Sequence, residues 1–169
     1  MASLLNPLLQ WRMLRHGRGF GIHSPFAFRF ITEVLNQNRA YYAYERLTDK
    51  RLRLVFRVAL ALGGERVAVY GSRRLAEAVR TALPKARLVG RRPDLVVMEA
   101  DYASDDEKQA FADAVADGAN ALLTGSRRFG RLKELLASLP DGMSFDNHRG
   151  TVVIVRNPKL PRQDFDVRF

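Results

Sequence analysis

With 169 residues, 47% of them hydrophobic, the chain favours one folded domain over disorder, and its lack of cysteine excludes disulfides, thiolate-zinc sites and thiol catalysis. Its 28 Lys and Arg against 18 Asp and Glu give a formal net charge of +10, which favours nucleic acid or anionic small molecules as partners. An equal alternative is a coding bias that turns surface lysines into arginines.

The N-terminal stretch is predicted to form a short helix. Asn6 and Pro7 are a typical N-cap and first-turn pair, and we expect the helix to run to about Arg15. Its apolar residues are too few and too interrupted for a signal peptide or a membrane span. We therefore expect no membrane partner and a cytoplasmic location.

Two further helices are predicted before the pattern of the sequence changes. Ser24 as N-cap and Pro25 as first residue open one of them, and the other starts near Thr48 or Asp49. Apolar side chains at spacings of three and four give each helix one apolar face. We expect residues 1–64 to form a helical segment that packs on the core of a single compact domain.

From residue 65 onward, short apolar runs alternate with helical stretches. VAVY, DLVVM and ALLT are predicted to be buried strands and ARLVG a short strand, and this alternation is typical of βαβ units in a parallel sheet. GMSFD and TVVIVR have no helix between them, so they are predicted to pair as an antiparallel hairpin. The sequence therefore predicts an α/β fold over residues 65–169, with a mostly parallel, Rossmann-like sheet that ends in an antiparallel hairpin.

Both ends of the chain resemble one bacterial family. RHGRGFGIHSPFAFRFITEVL, at residues 15–35, resembles the HGxGxHSPFVF opening of a family of S-adenosylmethionine-dependent methyltransferases. GMSFDNHRGTVVIVRNPKLPRQDFDVRF, at residues 142–169, looks like the ending of that family, and YYAYE resembles its YYAFE segment. The resemblance implies a methyltransferase-type Rossmann-like core. Because this chain is shorter than the family pattern, we expect a trimmed, divergent member with one edge strand missing.

The resemblance also implies a cofactor site, from which this sequence departs. In that fold S-adenosylmethionine lies over the carboxyl ends of the first two strands, beside an acid in each loop. Here the first loop offers Gly71 and Ser72 and the second offers Gly90, with arginines where acids are expected. An arginine cannot accept hydrogen bonds from ribose hydroxyls, and it repels the sulfonium. Glu99 and Asp101, after the DLVVM strand, either lie near the cofactor, as the resemblance implies, or belong to a solvated loop.

The tetrapeptide GSRR occurs twice, each time after an apolar run and before a helical stretch. Ser72 and Ser126 are predicted N-caps, which puts the arginines in helix first turns, where they oppose the helix dipole. Loops after parallel strands share one edge of a sheet, and a bound anion there would remove the conflict. The sequence predicts an anion-binding crevice for a nucleotide, a phosphorylated metabolite or a nucleic-acid backbone, with plain solvent-exposed arginines as the alternative. The predicted residues are Arg73, Arg74, Arg91, Arg92, Arg127 and Arg128.

The sequence identifies no catalytic residue and no metal site. His16, His23 and His148 lack the spacing of metal ligands. His23 and Ser24 could be catalytic or contact a substrate, but helix capping and packing explain more of the segment. We therefore expect no metal, and S-adenosylmethionine is the one cofactor that the resemblance implies.

Three functions are compatible with these features. The first is a methyltransferase-like protein with a degenerate S-adenosylmethionine site and a binding or scaffold role, in which a homodimer covers the trimmed sheet edge. The second is an active S-adenosylmethionine-dependent methyltransferase with a remodelled loop, and Glu99 and Asp101 nearby. The third is a protein that binds nucleic acid or another anion, which rests on charge. The loss of both loop acids favours the first.

Overall fold

The structure, a computed structural model, describes residues 7–17, 21–37 and 39–169. A π-helical stretch, Phe30–Leu35, continues α2 (Pro25–Arg29), and 3₁₀ turns cover Tyr42–Glu45 and Ser126–Arg128. The other helices are α1 (Pro7–Gly17), α3 (Lys50–Leu62), α4 (Arg73–Ala82), α5 (Asp105–Ala116) and α6 (Leu132–Ser138). The strands are β1 (Arg66–Tyr70), β2 (Arg87–Leu88), β3 (Leu95–Glu99), β4 (Asn120–Thr124), β5 (Met143–Asp146), β6 (Thr151–Val155) and β7 (Gln163–Asp166).

The strands form one seven-stranded sheet with the order β2-β1-β3-β4-β6-β5-β7. β1 to β4 run parallel, whereas β6 lies antiparallel between β4 and β5. The predicted α/β fold, with a mostly parallel sheet, a C-terminal antiparallel hairpin and preceding helices, is confirmed at this level. β7 pairs parallel with β5 at the sheet edge and lies outside the predicted strands, because its sequence QDFD has no apolar run.

Alternate residues of the central strands face two apolar cores, because successive side chains of a strand point to opposite faces of the sheet. Val97 and Leu122 pack in one core with side chains of α2, α3 and α4. Met98 and Leu123 pack in the other core with α5 and α6. The helices α2 and α3 thus share a core with the sheet.

Capping side chains set the starts of the second and third helices. Ser24 accepts a hydrogen bond from the first turn of α2, and Asp49 accepts one from the first turn of α3, as predicted. The predicted N-cap Asn6 of α1 lies outside the described residues. Within the described ranges, no helix combines the length and the apolarity that a membrane crossing requires.

The position of the short strand β2 creates a reversal of strand order in the sheet. Leu88, its last residue, pairs with Val67, well before β1 ends at Tyr70, and the chain then returns to β3 without a helix. β2 lies on one side of β1 and β3 on the other, so the strand order reverses between β1 and β3. In doubly wound sheets such a switch point is where ligands bind, at the carboxyl ends of the strands.

Candidate functional site

The switch point is occupied by a buried carboxylate. Glu99, the last residue of β3, is only 3% exposed. Ser72 donates a hydrogen bond from Oγ to Glu99 Oε2 at 2.5 Å, and Arg51 Nη2 lies 3.1 Å from Glu99 Oε1. These partners stabilise a charge that would be costly to bury alone. Both carboxylate oxygens are therefore engaged by the protein itself.

A glycine lets the loop after β1 lie directly against the end of β3. Gly71 has φ +130°, and a Cβ there would lie 2.8 Å from the Cβ of Glu99 and 3.2 Å from its backbone nitrogen. Such a contact is far too close for two carbon atoms, so the position requires glycine. Ser72, the next residue, also accepts a hydrogen bond from the backbone N–H of Leu75 at 3.3 Å and so caps α4. Direct contacts thus close the crevice between β1 and β3.

Asp101 lies beside this contact, against the loop after β4. Gly125 has φ +67°, and a Cβ there would lie 2.6 Å from Asp101 Oδ2. Arg128 Nε lies 3.7 Å from Asp101 Oδ1, and the Asp101 side chain is 42% exposed. The two predicted acids therefore have different surroundings, since Glu99 is buried among partners and Asp101 forms a half-exposed surface ion pair.

The two GSRR copies do not form equivalent structures. Ser72 caps α4 as predicted, but the prediction that Ser126 caps a helix is wrong. Ser126–Arg128 forms a 3₁₀ turn, and α6 begins only at Leu132. The reason is Phe129, which leaves the helical conformation (φ −105°, ψ 82°) and buries its ring against Phe111, with 5.5 Å between the ring centroids. The second pair of arginines therefore does not lie in the first turn of an α-helix.

Four of the predicted arginines lie in loops or first turns that follow β1 and β4, at the carboxyl edge of the sheet. Arg73 forms an ion pair with Glu77 on its own helix at 3.2 Å, and the neighbouring Arg74 is exposed. Arg127 donates to the backbone oxygen of His148 at 3.4 Å, and Arg128 contacts Asp101 as described above. β3 and its terminal acid separate the first pair of arginines from the second.

The expectation that the loop after β2 joins this edge is wrong for Arg92. Arg92 lines a cavity at the opposite edge, with Arg66 and Asp94 at the starts of β1 and β3, because the two-residue β2 does not carry its loop to the carboxyl edge. Arg66 donates to Asp94 at 2.7 Å, and this bond raises the pKa of Arg66 and lowers the pKa of Asp94. Gly90 and Arg91 are exposed, and a Cβ on Gly90 would meet open space. The structure therefore does not gather the predicted cofactor and anion residues into one site.

A second site opens beside Arg51. This is a cavity of about 600 Å³ between residues 35–37 and 39–44, the first turns of α3 and the turn between β5 and β6. Thr151, in its wall, pairs with Thr124 at the carboxyl end of β4, so the cavity lies at the same edge as the switch point. Its lining includes five cationic side chains, Arg39, Lys50, Arg51, Arg53 and Arg57.

A pattern in the sequence could have revealed these cations. Lys50, Arg53 and Arg57 recur at spacings of three and four, which places them on one side of a helix. The apolar stripe of the same helix predicts its buried face, and the basic stripe lies beside that face. Its significance depends on residues 35–37 and 39–44, which lie against that side of α3 in the folded chain.

External comparisons add no assignment to this geometry. No match is found for the chain among models of protein families, curated proteins or solved structures. Within the part of the chain that the structure describes, no group of three or more His, Asp or Glu residues is arranged to hold a metal ion. The closed switch point and the basic cavity are therefore the features of the chain that bear on its function.

Proposed function

We propose that this chain is a binding protein on a methyltransferase-type framework, in which the ordinary S-adenosylmethionine site no longer forms. The resemblance of both chain ends to the HGxGxHSPF family supports the framework. The strand order supports it as well, because a parallel sheet that ends in an antiparallel pair is the arrangement of Rossmann-like methyltransferases. The short loop between β2 and β3 agrees with a trimmed sheet.

The observation that carries the proposal is the closed switch point. A ligand in this crevice would have to separate Ser72 from Glu99 and displace Arg51. Removing one partner of a buried ion pair costs about 3–5 kcal/mol. The cost here lies toward the lower end or below it, because the Arg51 side chain is 44% exposed. The free energy gained by binding a ligand at the switch point would be reduced by this cost.

The chemistry of the two loops supports the same proposal. The loop after β2 presents Gly90 and Arg91 where a ribose-binding acid is expected, and arginine only donates hydrogen bonds. Tyr70 stands at the end of β1, next to the loop where the other acid is expected. Burial raises the pKa of Tyr70, and the charge of Glu107 raises it further, so its hydroxyl is neutral at pH 7. Neither loop supplies an anionic acceptor for the cofactor.

Thermal unfolding with S-adenosylmethionine and S-adenosylhomocysteine tests the proposal. A ligand at a hundredfold over its Kd would add about 2.7 kcal/mol of stability. For a chain of this size that corresponds to a rise in Tm of about 5–11 °C. We expect no rise with either ligand at about 1 mM, while an active S-adenosylmethionine-dependent methyltransferase in the same experiment shows one.

A saturable rise in Tm would contradict the proposal. Isothermal titration would then give the affinity, and a methyl-transfer assay would test for an active enzyme with a remodelled loop. In that case Glu99 and Asp101 would be the first residues to substitute, because both lie at the carboxyl end of β3.

A further inference from the structure

The cavity beside Arg51 concentrates positive charge. Arg39, Lys50, Arg51, Arg53 and Arg57 line it, and as far as the described residues form its wall, no lining side chain is a carboxylate. Among these five, and within the described ranges, Arg51 is the one with an ion pair, to Glu99. The other four cations form no ion pair within the described ranges. Phe169, the last residue of the given sequence, also lines the cavity and carries one backbone carboxylate, so positive charge remains in excess there and favours an anionic ligand.

Two of these cations are held in place by neutral groups. Arg57 donates from Nε to the backbone oxygen of Val34 at 2.8 Å and from Nη2 to that of Leu35 at 3.0 Å. The guanidinium of Arg53 lies over the ring of Tyr44, 4.9 Å from its centroid. These contacts fix the direction of both side chains but leave their charges uncompensated. A ligand would therefore meet cations that are already ordered, which reduces the entropy lost on binding.

A polar atom in the same wall lacks a partner. The side-chain oxygen of Gln37 is buried and makes no hydrogen bond within the described residues. The Gln37 amide nitrogen lies 2.6 Å from the Tyr41 hydroxyl. An amide has one donor end and one acceptor end, so the opposite orientation would leave the nitrogen unpartnered instead. In either orientation one buried end of the amide lacks a partner, which destabilises the fold. A ligand hydroxyl group can satisfy either end, because it both donates and accepts, and an amine group can donate to the oxygen.

We infer that this cavity binds a small organic phosphate, with its phosphate on the cations and a hydroxyl or amine group on Gln37. The planar guanidinium fork fits phosphate oxygens, and several unpaired cations favour a ligand with more than one negative charge. The volume of about 600 Å³ lies in the range of small-molecule sites. The inference rests on the proposed binding role, for which it supplies the ligand class, but it uses a different set of side chains from the switch point.

Isothermal titration with inorganic pyrophosphate and with adenosine 5′-monophosphate tests the inference. Arg39→Gln with Lys50→Gln removes two exposed cations from the cavity, and Arg80→Gln with Lys85→Gln removes the same charges elsewhere on the surface. We expect saturable binding of pyrophosphate that the cavity pair weakens by about tenfold or more, as loss of charge-assisted hydrogen bonds predicts. The control pair should change the Kd by less than about twofold.

Gln37→Leu distinguishes the contribution of the Gln37 amide from that of the cationic side chains. It removes the amide but no charge, so it should weaken the binding of adenosine 5′-monophosphate, which carries ribose hydroxyls and an amino group, more than that of pyrophosphate, which binds mainly through its negative charge. Thermal unfolding of each variant checks that the fold is retained, since Gln37 also contacts Tyr41. Equal weakening of both probes would overturn the assignment of Gln37.

Three results would overturn the inference as a whole. One is the absence of saturable pyrophosphate binding, and another is equal weakening by the two charge-matched pairs, which would indicate general surface charge. The third is tighter binding of a short single-stranded oligonucleotide than of the mononucleotide, with an affinity that falls steeply as salt increases. This would indicate that the ligand is a nucleic-acid backbone. These outcomes are separate from the test with S-adenosylmethionine. A rise in Tm with S-adenosylmethionine would contradict the proposed function, but whether the cavity binds phosphate would still be tested by pyrophosphate titration.

Discussion

The identical GSRR tetrapeptides offer a matched pair of substitutions, Ser72→Ala and Ser126→Ala. Ser72 caps α4 and donates to the buried carboxylate of Glu99 at 2.5 Å. Ser126 starts a 3₁₀ turn, and no side-chain capping hydrogen bond is formed there. The same chemical change in the same local sequence should therefore have different effects on stability.

The magnitude for Ser72→Ala follows from its two hydrogen bonds. Loss of an N-cap costs about 1 kcal/mol, and loss of a hydrogen bond to a charged group costs about 1.5–3 kcal/mol. We therefore expect the free energy of unfolding to fall by about 2.5–4 kcal/mol, which lowers Tm by about 5–15 °C in a chain of this size. Ser126→Ala should stay within about 0.5 kcal/mol of the parent protein.

Urea denaturation of the parent and both variants measures the difference. The slope of free energy against urea concentration should not change, because the surface exposed on unfolding is the same. In a Glu99→Gln background, Ser72→Ala should lose only about the capping contribution of 1 kcal/mol plus a neutral hydrogen bond. Equal losses for Ser72→Ala and Ser126→Ala would refute the reasoning, since the contact with Glu99 is what distinguishes the two serines.

Two further predictions concern other parts of the sheet. The hydrogen bond from Arg66 lowers the pKa of Asp94 in the folded protein. Asp94 therefore stabilises the fold fully at pH values above the pKa of an unfolded aspartate, about 3.9. This stabilisation is lost as the pH falls through the lower pKa of the folded protein. Asp94→Asn should therefore reduce stability at pH 7 and flatten its decline below about pH 5 in a urea series, whereas an unchanged decline would contradict it. Gly71→Ala should lower the free energy of unfolding by about 1–3 kcal/mol more than Gly118→Ala in the same assay. Both glycines have positive φ, but a Cβ at Gly71 would also collide with Glu99. Equal costs would contradict the close approach at Gly71.

The sequence predicts most of the sheet because its central strands are buried on both faces. VAVY, DLVVM and ALLT are continuous apolar runs, and turn or capping residues bound the helices between them. β7 has no such signal, since its place at the edge demands little burial and it is held by pairing with β5. The start of α6 also cannot be predicted from the local sequence, because Phe129 leaves the helical conformation to pack against Phe111.

The candidate site is less predictable because its contacts join distant parts of the chain. Ser72 and Glu99 are identifiable as residues at strand ends, but their hydrogen bond depends on the reversal of strand order between β1 and β3. The placement of Arg92 depends on the length of β2, which the run ARLVG does not fix. Arg51 reaches Glu99 from a helix that precedes the whole sheet in sequence. Such contacts follow from topology, not from local pattern.

Arg51 connects the closed switch point with the basic cavity, since it contacts Glu99 and also lines the cavity wall. A guanidinium has five N–H donors in a planar fork, and the contact with Glu99 at 3.1 Å joins one of its nitrogens to one carboxylate oxygen. The remaining donors can serve an anion while that ion pair persists. A phosphate in the cavity would thus add a second anionic partner to Arg51 without exposing Glu99. The same side chain can therefore keep the switch point closed and contribute to the binding site beside it.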